Sequence, residues 1–208
     1  MTKSLTTDSE LGHARARLLD PTELELYHLE SIIGMLSGPT VDFSDVFLES
    51  TRSESWLMEN NIVKEGAHQI LHGGGLRTVA GIQTGFAYSD DLTFGALKNA
   101  AQAARTIVAG GQTREYKLET RTDKVSYYEN IDPIEQMSAQ TKVDLLNSIN
   151  SRLRAADNRV IEVKASLSGQ YSTVLVATSD GGFASDIRPL VRLNVTVIVE
   201  EKGRKETA

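Results

Sequence analysis

Two kinds of segment alternate along this chain. In the first kind, apolar residues recur at helical spacing. In the second kind, which is longer, apolar and polar residues alternate. The first helical set predicts a helix that ends at Gly38-Pro39. Asp20-Pro21-Thr22-Glu23 has the acceptor, the proline and the glutamate of a capping box, so we expect this helix to begin there. The apolar residues of the set are Leu26, Leu29, Ile33 and Leu36.

Residues from Val41 to about Tyr88 predict a meander of strands, because apolar and polar side chains alternate as on the two faces of a sheet. Asn60-Asn61 predicts a tight hairpin turn, since asparagine tolerates positive φ. Gly73-Gly74-Gly75 and the segment from Gly81 to Gly85 are interpreted as further turns or bulges.

A second helix is predicted from about Leu92 to Val108, with a face of small residues that allows close packing on a sheet. We expect Asp90 or Asp91 to cap its start and Gly110-Gly111 to end it. The residues of the small face are Leu97, Ala100, Ala101, Ala104 and Val108.

Residues 110–131 carry few periodic signals and are interpreted as a connector with one short strand at Tyr116 to Leu118. Asp132-Pro133-Ile134-Glu135 repeats the first cap pattern, and a second start at Ser138 predicts a third helix. The apolar side of this helix comprises Val143, Leu146, Ile149, Leu153 and Ala156.

A second strand-rich segment is predicted from about Val160 to Glu200, with a hairpin turn at Ser179-Asp180-Gly181-Gly182. Its layout resembles that of the first strand-rich segment, which hints at an internal duplication of a helix plus β-meander unit. Together the elements predict an α+β fold: a curved, mainly antiparallel sheet with helices packed on one face.

The same elements predict the domain organisation. We expect a flexible or frayed segment at residues 1–19, which are rich in polar residues, and one α+β domain at residues 20–204. Within that domain we expect sub-blocks at about 20–110 and 132–204. A hydrophobic content of 40% is ordinary for a chain that buries its own core.

Composition excludes several classes of function. The 28 acidic residues outnumber the 22 basic ones, which argues against a surface that follows nucleic-acid phosphates. Because the chain has no cysteine, it offers neither a disulfide framework nor a cysteine nucleophile. The first 19 residues do not have the apolar run of a signal peptide, and no segment has the roughly 18 apolar residues of a membrane-spanning helix. We therefore expect a cytoplasmic protein without a nucleic-acid or membrane partner.

His68 and His72 are the first candidates for metal binding, since residues four apart share one face of a helix. Their segment is more typical of a strand, in which they would lie about 13 Å apart, too far for one zinc ion. We therefore interpret them as ordinary surface or half-buried histidines. Gly73-Gly74-Gly75 does not have the spacing of a phosphate-binding loop, and a turn or bulge is the favoured interpretation.

Two carboxylate pairs, Asp90-Asp91 and Glu200-Glu201, resemble the pairs used in acid-base catalysis or in binding a hard cation. Neighbours on a strand point to opposite faces and an aspartate before a helix usually caps it, so capping and solvation are favoured. Trp56, the only tryptophan, is predicted to pack in the core, with an interface anchor as the alternative.

Arg188 and Arg192 would share one face of a strand, and together with Arg77 they could bind a carboxylate. The favoured alternative is that all three form ion pairs with the surplus acidic residues. The sequence therefore predicts no catalytic, metal-binding or cofactor-binding residue in this chain.

Long segments of the chain, from about Leu18 to Gly203, resemble the TldD branch of the TldD/PmbA family. Members of this family are zinc metallopeptidases that were once described as modulators of DNA gyrase. The segments that carry the resemblance are Ser53 to Gly66, Thr84 to Leu92, Ala100 to Val108, Ala165 to Gly169 (ASLSG), Arg188 to Leu193 (RPLVRL) and Val199 to Gly203 (VEEKG).

The resemblance implies that the peptidase centre is absent from this chain. In the family, a helical H-E-x-x-x-H segment and a later cysteine hold zinc, downstream of the region matched here. This chain has no cysteine, and none of its histidines stands in an H-E context; they are His13, His28, His68 and His72. We therefore expect an amino-terminal domain that is inactive alone, with zinc belonging to the missing catalytic domain.

The resemblance also implies a function for the whole protein. Together with a TldE/PmbA-like partner, it would trim or degrade unfolded peptides, in the maturation of microcin-type peptides and the turnover of an antitoxin. The alternative is a stand-alone peptide- or protein-binding module without enzymatic activity. A dimer of the isolated chain is a further prediction, because the missing catalytic domain would leave a surface exposed.

Overall fold

A computed structural model describes residues 10–59, 61–108, 115–120 and 128–208. The chain divides into two compact units, each assembled from segments that are distant in sequence. Unit 1 comprises Met1–Thr51, Leu71–Asn130 and Ser172–Arg188, and unit 2 comprises Arg52–Ile70, Ile131–Tyr171 and Pro189–Ala208.

Unit 1 begins with helical turns. Residues 10–14 are helical and continue as a π-helix, Arg15–Leu19. The polar composition predicts a frayed segment up to residue 19, whereas Leu18 and Leu19 are buried in the core of unit 1. Apolar burial therefore orders the part of this segment that the structure describes.

The first long helix, α1 (Leu26–Leu36), begins later than the sequence predicts. Asp20–Thr22 forms a 3₁₀-helix, and Glu23 then adopts a positive φ of 55°, which interrupts the helical path. The capping box is formed instead by Glu25 and His28, whose Nδ1 accepts a hydrogen bond from the Glu25 amide at 3.0 Å. The predicted start at Asp20 is therefore wrong, while the end of α1 agrees with the predicted Gly-Pro stop.

The predicted strand meander is present as β1 (Phe43–Glu59), β2 (Ile62–Ala80) and β3 (Gln83–Ser89). The first hairpin turns at Asn61, whose φ is 61°, as the asparagine pair predicts. Asn60 lies outside the described residues. In β1 the alternate positions from Ser44 to Leu48, and again from Glu54 to Met58, are buried, as expected for a sheet with one covered face.

The glycine triplet Gly73-Gly74-Gly75 lies within β2 and forms no turn, so that prediction is wrong. A Cβ on Gly73 would lie 2.1 Å from the hydroxyl oxygen of Tyr88, and one on Gly75 would lie 3.1 Å from the ring of Phe86. The glycines therefore leave room for two aromatic rings of β3. The turn of this hairpin is at Gly81, whose φ is 56°.

The second helix, α2 (Phe94–Ile107), is capped by Thr93, whose Oγ1 accepts a hydrogen bond from the Ala96 amide. The predicted aspartate cap is wrong because Asp91 instead accepts a hydrogen bond from the Thr93 amide at 2.8 Å. This bond forms a turn before the helix. The predicted stop at Gly110-Gly111 lies outside the described residues.

Close packing of the small face of α2 is confirmed at Gly85 of β3. A Cβ on Gly85 would lie 2.0 Å from the backbone carbonyl oxygen of Ala104. Ala100, Ala101 and Ala104 are buried, so the helix backbone comes close to the strand.

In the connector, the short strand is β4 (Glu119–Thr120), not Tyr116 to Leu118 as predicted. The side chain of Leu118 is buried in the core of unit 1, and its amide donates to Glu30 Oε1 at 3.1 Å. This amide is therefore used by a side chain of α1, and the strand begins one residue later.

The third helix, α3 (Ala139–Ala156), begins at the predicted cap: Ser138 Oγ accepts a hydrogen bond from the Thr141 amide at 3.2 Å. The cap pattern at Asp132 begins no helix, because Asp132 Oδ1 accepts a hydrogen bond from the Ile134 amide within a turn. Leu146 is the buried centre of the apolar side, whereas Ala156 is exposed.

The second strand-rich segment consists of β5 (Val160–Thr178) and β6 (Gly182–Glu201), joined at the predicted turn, where Gly181 has a φ of 86°. A further strand, β7 (Arg204–Thr207), lies beyond the predicted end of the strands. Its hairpin with β6 turns at Lys202-Gly203, where both residues have positive φ. Gly203 was the signal for this turn, because glycine often marks turns.

The strands pair in the order β3-β2-β1-β5-β6-β4, and β7 also pairs with β6. The β2–β3 and β6–β7 pairs are antiparallel, and the short β4–β6 pair is parallel. The predicted α+β class with a mainly antiparallel sheet is confirmed. The internal duplication stays a hypothesis.

Each unit has its own apolar core. In unit 1, α1 and α2 pack on strand residues that include Val46, Leu48 and Leu76. In unit 2, Leu146 of α3 packs on Trp56 and Met58 of β1 and on residues of β5. Within the described residues, no helix is both long and apolar enough to cross a membrane.

Candidate functional site: a charged anchor and two strand edges in unit 2

Unit 2 contains a charged anchor, which comprises Arg52, Glu54, Asp132, Glu135 and Lys142. Lys142 of α3 forms an ion pair with Glu54 of β1, and each side chain is only 5% exposed. The Lys142 ammonium also donates to the backbone carbonyl of Ile134 at 2.8 Å. The ammonium therefore joins the helix to a strand and to the turn that precedes the helix.

Arg52 forms the second part of the charged anchor. Its guanidinium binds Asp132 through Nη2 and Glu135 through Nη1, the latter at 2.9 Å, and it lies 5.8 Å from the centre of the Tyr171 ring. The hydrogen bond to Glu135 raises the pKa of Arg52 above its ordinary value. A planar guanidinium can bind two carboxylates at once, and here it holds the turn at residues 132–135 on the strands.

The geometry of the charged anchor fits a structural role better than a catalytic one. The Glu54 carboxylate is buried against the Lys142 ammonium, and its other oxygen lies 3.9 Å from Nδ1 of the half-exposed His68. A base for proton transfer has to reach a substrate proton at hydrogen-bond distance. Glu54 is instead engaged inside the unit.

Sequence reasoning missed this pair, although a signal was present. Glu54 lies at an alternate position of β1, on the same face as the buried Trp56 and Met58. Lys142 lies one helical turn before the buried Leu146. Opposite charges on the apolar faces of a strand and of a helix indicate a buried ion pair, because an unpaired charge would not be buried.

A first strand edge, the β2 edge (residues 62–70), belongs to unit 2. β3 pairs with β2 only from Gly74 onwards, so in the described chain no strand pairs with the outer side of this stretch. Ile62 and Ile70, one at each end, are 58% and 68% exposed. Unpaired amides and carbonyls beside exposed apolar side chains can accept an extended segment.

A second edge, the β6 edge (residues 190–196), lies in the same unit. Four of its apolar side chains are exposed. These exposed residues are Leu190, Val191, Leu193 and Val195.

The histidine and carboxylate candidates are dispersed. His68 and His72 both lie on β2, the strand that the sequence predicts. Asp91 forms a turn, and Glu200 and Glu201 pair with basic groups, Glu200 with Lys205 at 3.6 Å. Asp91 therefore acts in the turn before the helix and not as its cap, and Glu200 and Glu201 take part in exposed ion pairs.

Two of the three arginine candidates, Arg188 and Arg77, form the ion pairs that the sequence predicts, whereas the hydrogen-bond partner of Arg192 is neutral. Arg188 donates to Asp186 at 2.8 Å, and Arg77 donates to Asp45 at 2.7 Å. Arg192 donates to the side-chain oxygen of Asn194 at 3.1 Å. Carboxylate binding by these arginines stays a hypothesis.

Trp56 is 7% exposed within the core of unit 2, so the prediction of core packing is confirmed.

The side chains that this chain offers as metal ligands do not fit the zinc site that the resemblance implies. The chain contains no cysteine. Within the residues that the structure describes, no group of three or more histidine and acidic side chains could hold a metal ion. We therefore assign no chemical step to a metal in this chain.

Comparison with known families identifies two matches. The family model described as PmbA/TldA metallopeptidase domain 1 matches residues 44–108. The model described as PmbA/TldA metallopeptidase central domain matches residues 132–208.

Two curated relatives are named Metalloprotease TldD homolog. The protein from Haemophilus influenzae is 38% identical over 198 residues, which cover 94% of this chain and 41% of that protein. The protein from Buchnera aphidicola subsp. Schizaphis graminum is 34% identical over 206 residues, which cover 99% of this chain and 41% of that protein. The chain thus spans about 41% of the length of these relatives.

Solved structures share the fold. A protein described as a modulator of DNA gyrase from Thermotoga maritima has a TM-score of 0.62 at 14% identity, covering 97% of this chain and 42% of its own. TldE from Thermococcus kodakarensis has a TM-score of 0.61 at 15% identity, covering 86% and 40%. Since both family models and the TldD homologs match along the chain, it belongs to the PmbA/TldD family of metallopeptidases.

Proposed function

We propose that this chain is the non-catalytic amino-terminal part of a TldD-like zinc metallopeptidase, which acts with a TldE/PmbA-like partner on unfolded peptides. The family match and the share of the relatives' length that the chain spans support this proposal. The donor set, which does not fit zinc, agrees with a catalytic centre located elsewhere in the protein. The substrates are peptides such as microcin-type precursors and an antitoxin.

The observation that carries a role for this chain is the β2 edge. Its outer side is unpaired in the described chain, and its terminal isoleucines are exposed. An extended peptide can add to such an edge through main-chain hydrogen bonds, which depend little on sequence. Folded substrates do not offer a free strand, so this mode of binding selects unfolded peptides.

Hydrogen exchange on the full-length protein with its partner tests this role. On addition of an unfolded peptide, we expect slower exchange of the amides at residues 62–70. Residues of β5 provide the internal control, because β5 lies between β1 and β6 in the sheet. Unchanged exchange along the β2 edge at saturating peptide would refute peptide capture by this edge.

A pair of substitutions separates a specific effect from a general one. Ile70→Asp places a charge on the β2 edge and should weaken peptide binding. Ile82→Asp changes a fully exposed isoleucine of unit 1, in the turn after β2, and should leave binding unchanged. Equal effects of both substitutions would contradict the proposal.

A separate assay tests the assignment of catalysis. The isolated chain should not cleave unfolded peptides, with or without added zinc, whereas the full-length protein with its partner should cleave them and lose this activity with a chelator. Chelator-insensitive cleavage by the isolated chain would overturn the non-catalytic role.

A further inference from the structure

The face of unit 2 that lies opposite α3 carries hydroxyl groups. Trp56 of β1 and Leu167 of β5 pack with α3 in the core. Their neighbours Ser55 and Ser168 point to the other face, because successive side chains of a strand alternate. Both serines are half-buried. The strands therefore cover the core of unit 2 with a polar surface.

Two contacts fix how β1 and β5 pair in this unit. Lys164 Nζ lies 3.0 Å from Glu59 Oε1, and a Cβ on Gly169 would lie 3.8 Å from Glu54 Cγ. From one contact to the other, the chain advances by the same number of residues on β5 as it goes back on β1. The two strands are therefore antiparallel, and the two serines lie opposite each other.

The next strand, β6, places an arginine beside these serines. Asn194 Nδ2 donates to Ser166 Oγ at 3.4 Å, so these two residues are neighbours on this face. β5 and β6 form a hairpin and are antiparallel, since their turn is at Gly181. Two residues further along each strand, Ser168 lies opposite Arg192.

A neutral side chain holds Arg192. Its Nε donates to Asn194 Oδ1 at 3.1 Å, and Asn194 is itself bonded to β5. An amide orients the guanidinium without neutralising its charge, whereas Arg188 is paired with the Asp186 carboxylate at 2.8 Å. In the part of the chain that the structure describes, the two terminal nitrogens of Arg192 and the hydroxyl of Ser168 have no hydrogen-bond partner.

We propose that Arg192 and Ser168 bind a carboxylate of the unfolded peptide, at its C-terminus or on an acidic side chain. The terminal nitrogens of a guanidinium form a planar fork that matches the two oxygens of a carboxylate. Ser168 provides a third donor from the adjacent strand, at a Cβ separation of about 4.5 to 5.5 Å. The identity of this ligand as a peptide rests on the proposed function.

Small residues connect this site to the β2 edge. A Cβ on Gly66 would lie 2.3 Å from Ser55 Oγ, and the Ala67 amide donates to this oxygen at 3.3 Å. The order β2-β1-β5-β6 places four strand spacings, roughly 19 Å, between a peptide strand added to β2 and β6. About six extended residues span this distance. A peptide that pairs with the β2 edge can thus place a carboxylate at Arg192.

Peptide binding to the full-length protein with its partner, treated with a chelator so that no peptide is cleaved, tests the site. Three forms of one unfolded peptide are compared: a free C-terminus, an amidated C-terminus, and an amidated C-terminus with one internal aspartate. We expect the free acid to bind at least about tenfold more tightly than the amide without aspartate, because a hydrogen bond between charged groups is strong. The third peptide shows whether a side-chain carboxylate serves as well as the terminal one.

Two substitutions locate the effect. Arg192→Gln should remove the difference between the free acid and the amide. Arg188→Gln should retain it, because Arg188 has the same face of β6 but is paired with Asp186. Equal affinity of the acid and the amide for the unsubstituted protein would overturn the proposal, as would a difference that survives Arg192→Gln or is lost equally with Arg188→Gln.

A short probe separates this inference from peptide capture by the β2 edge. N-acetylglycine has a carboxylate but is too short to pair along a strand. Ligand-observed NMR should detect its binding but not that of N-acetylglycinamide, and Arg192→Gln should abolish the difference. Binding of this probe without binding of any long peptide would refute the proposed function and retain the site. Equal binding of long peptides as acids and as amides would refute the site and retain the proposed function.

Discussion

Unit 1 and unit 2 stabilise their strands by different means. In unit 1, two long helices and the helical turns before them bury an apolar core, and buried polar groups form short hydrogen bonds, such as that from Thr78 to the Leu36 carbonyl at 2.8 Å. In unit 2, one helix covers a smaller set of buried apolar residues, and the buried Lys142–Glu54 pair lies beside them. Apolar contact is non-directional, whereas an ion pair requires one geometry. The difference indicates that charge fixes the position of α3 where apolar burial is limited.

The largest expected effect tests that role of charge. Lys142→Ala leaves the Glu54 carboxylate buried without its partner, and breaking a buried pair in this way costs about 3 to 5 kcal/mol of unfolding free energy. Urea denaturation followed by the fluorescence of Trp56 measures it, since this single tryptophan lies in the core of unit 2. Far-UV circular dichroism of the same samples reports on both units.

The control for this experiment removes both charges. Lys142→Met combined with Glu54→Leu should recover most of the lost stability, because an apolar pair of similar volume often replaces a buried ion pair without loss. A loss below about 1 kcal/mol for Lys142→Ala would place the pair in the range of exposed ion pairs and contradict the comparison.

The next effect concerns the close approach of helix and strand in unit 1. Gly85→Ala would place a Cβ 2.0 Å from the Ala104 carbonyl oxygen, a backbone atom that moves only with α2. Overpacking of this kind costs about 1 to 3 kcal/mol, which a fall in the denaturation midpoint by circular dichroism would measure. In unit 2, the added Cβ of Gly169→Ala would lie 3.3 Å from the side-chain Cγ1 of Ile134. We expect a smaller loss of stability there, because a side chain can move more easily than a helix backbone.

Gly95→Ala is the matched control on α2. Among the residues that the structure describes, no atom lies within 4 Å of a Cβ at Gly95, so the substitution should be neutral or should stabilise the helix by up to about 1 kcal/mol. If Gly85→Ala were as well tolerated as Gly95→Ala, close backbone packing would not be a feature of unit 1.

Local signals predicted the elements of both units, but not their assembly. Ser138 and Asn61 were identified because a cap and a turn depend on the chemistry of one or two residues. The glycine triplet of β2 was misread as a turn. Its glycines instead leave room for the rings of Tyr88 and Phe86, which belong to another strand. The start of α1 was misplaced because a positive φ at Glu23 outweighs a good cap pattern.

The charged anchor was missed for a similar reason. Glu54 and Lys142 are far apart in sequence, and each alone resembles an ordinary surface charge. Only their places on apolar faces distinguished them, and a pattern of that kind identifies a buried charge without identifying its partner. The two strand edges likewise required the order of the strands, which alternation along a single strand does not contain.

The smallest effect concerns an exposed ion pair of unit 2 and sharpens the contrast with the buried pair. Arg159 donates hydrogen bonds to Asp157 from its side chain and from its backbone amide, and these hold the pKa of Asp157 at about 2, below the ordinary 3.8. Because the folded-state pKa is lowered, the pair contributes stability above about pH 4, and this contribution is lost as the pH falls towards about 2. Between these values the unfolded chain binds more protons, so stability should rise with pH.

Urea midpoints of the unsubstituted chain and of Asp157→Asn, measured at several values between about pH 5 and pH 2, test this dependence. The substitution should flatten the slope within the interval, by a small amount because the pair is exposed, and added salt should reduce the difference further. Asp144→Asn removes another exposed acid, one that accepts a hydrogen bond from Gln140, and controls for the loss of one negative charge. If the slope for Asp157→Asn matched that of the unsubstituted chain at low salt, the carboxylate of Asp157 would not be coupled to folding. The contrast between the two pairs of unit 2 would then rest on the burial of Lys142 and Glu54 alone.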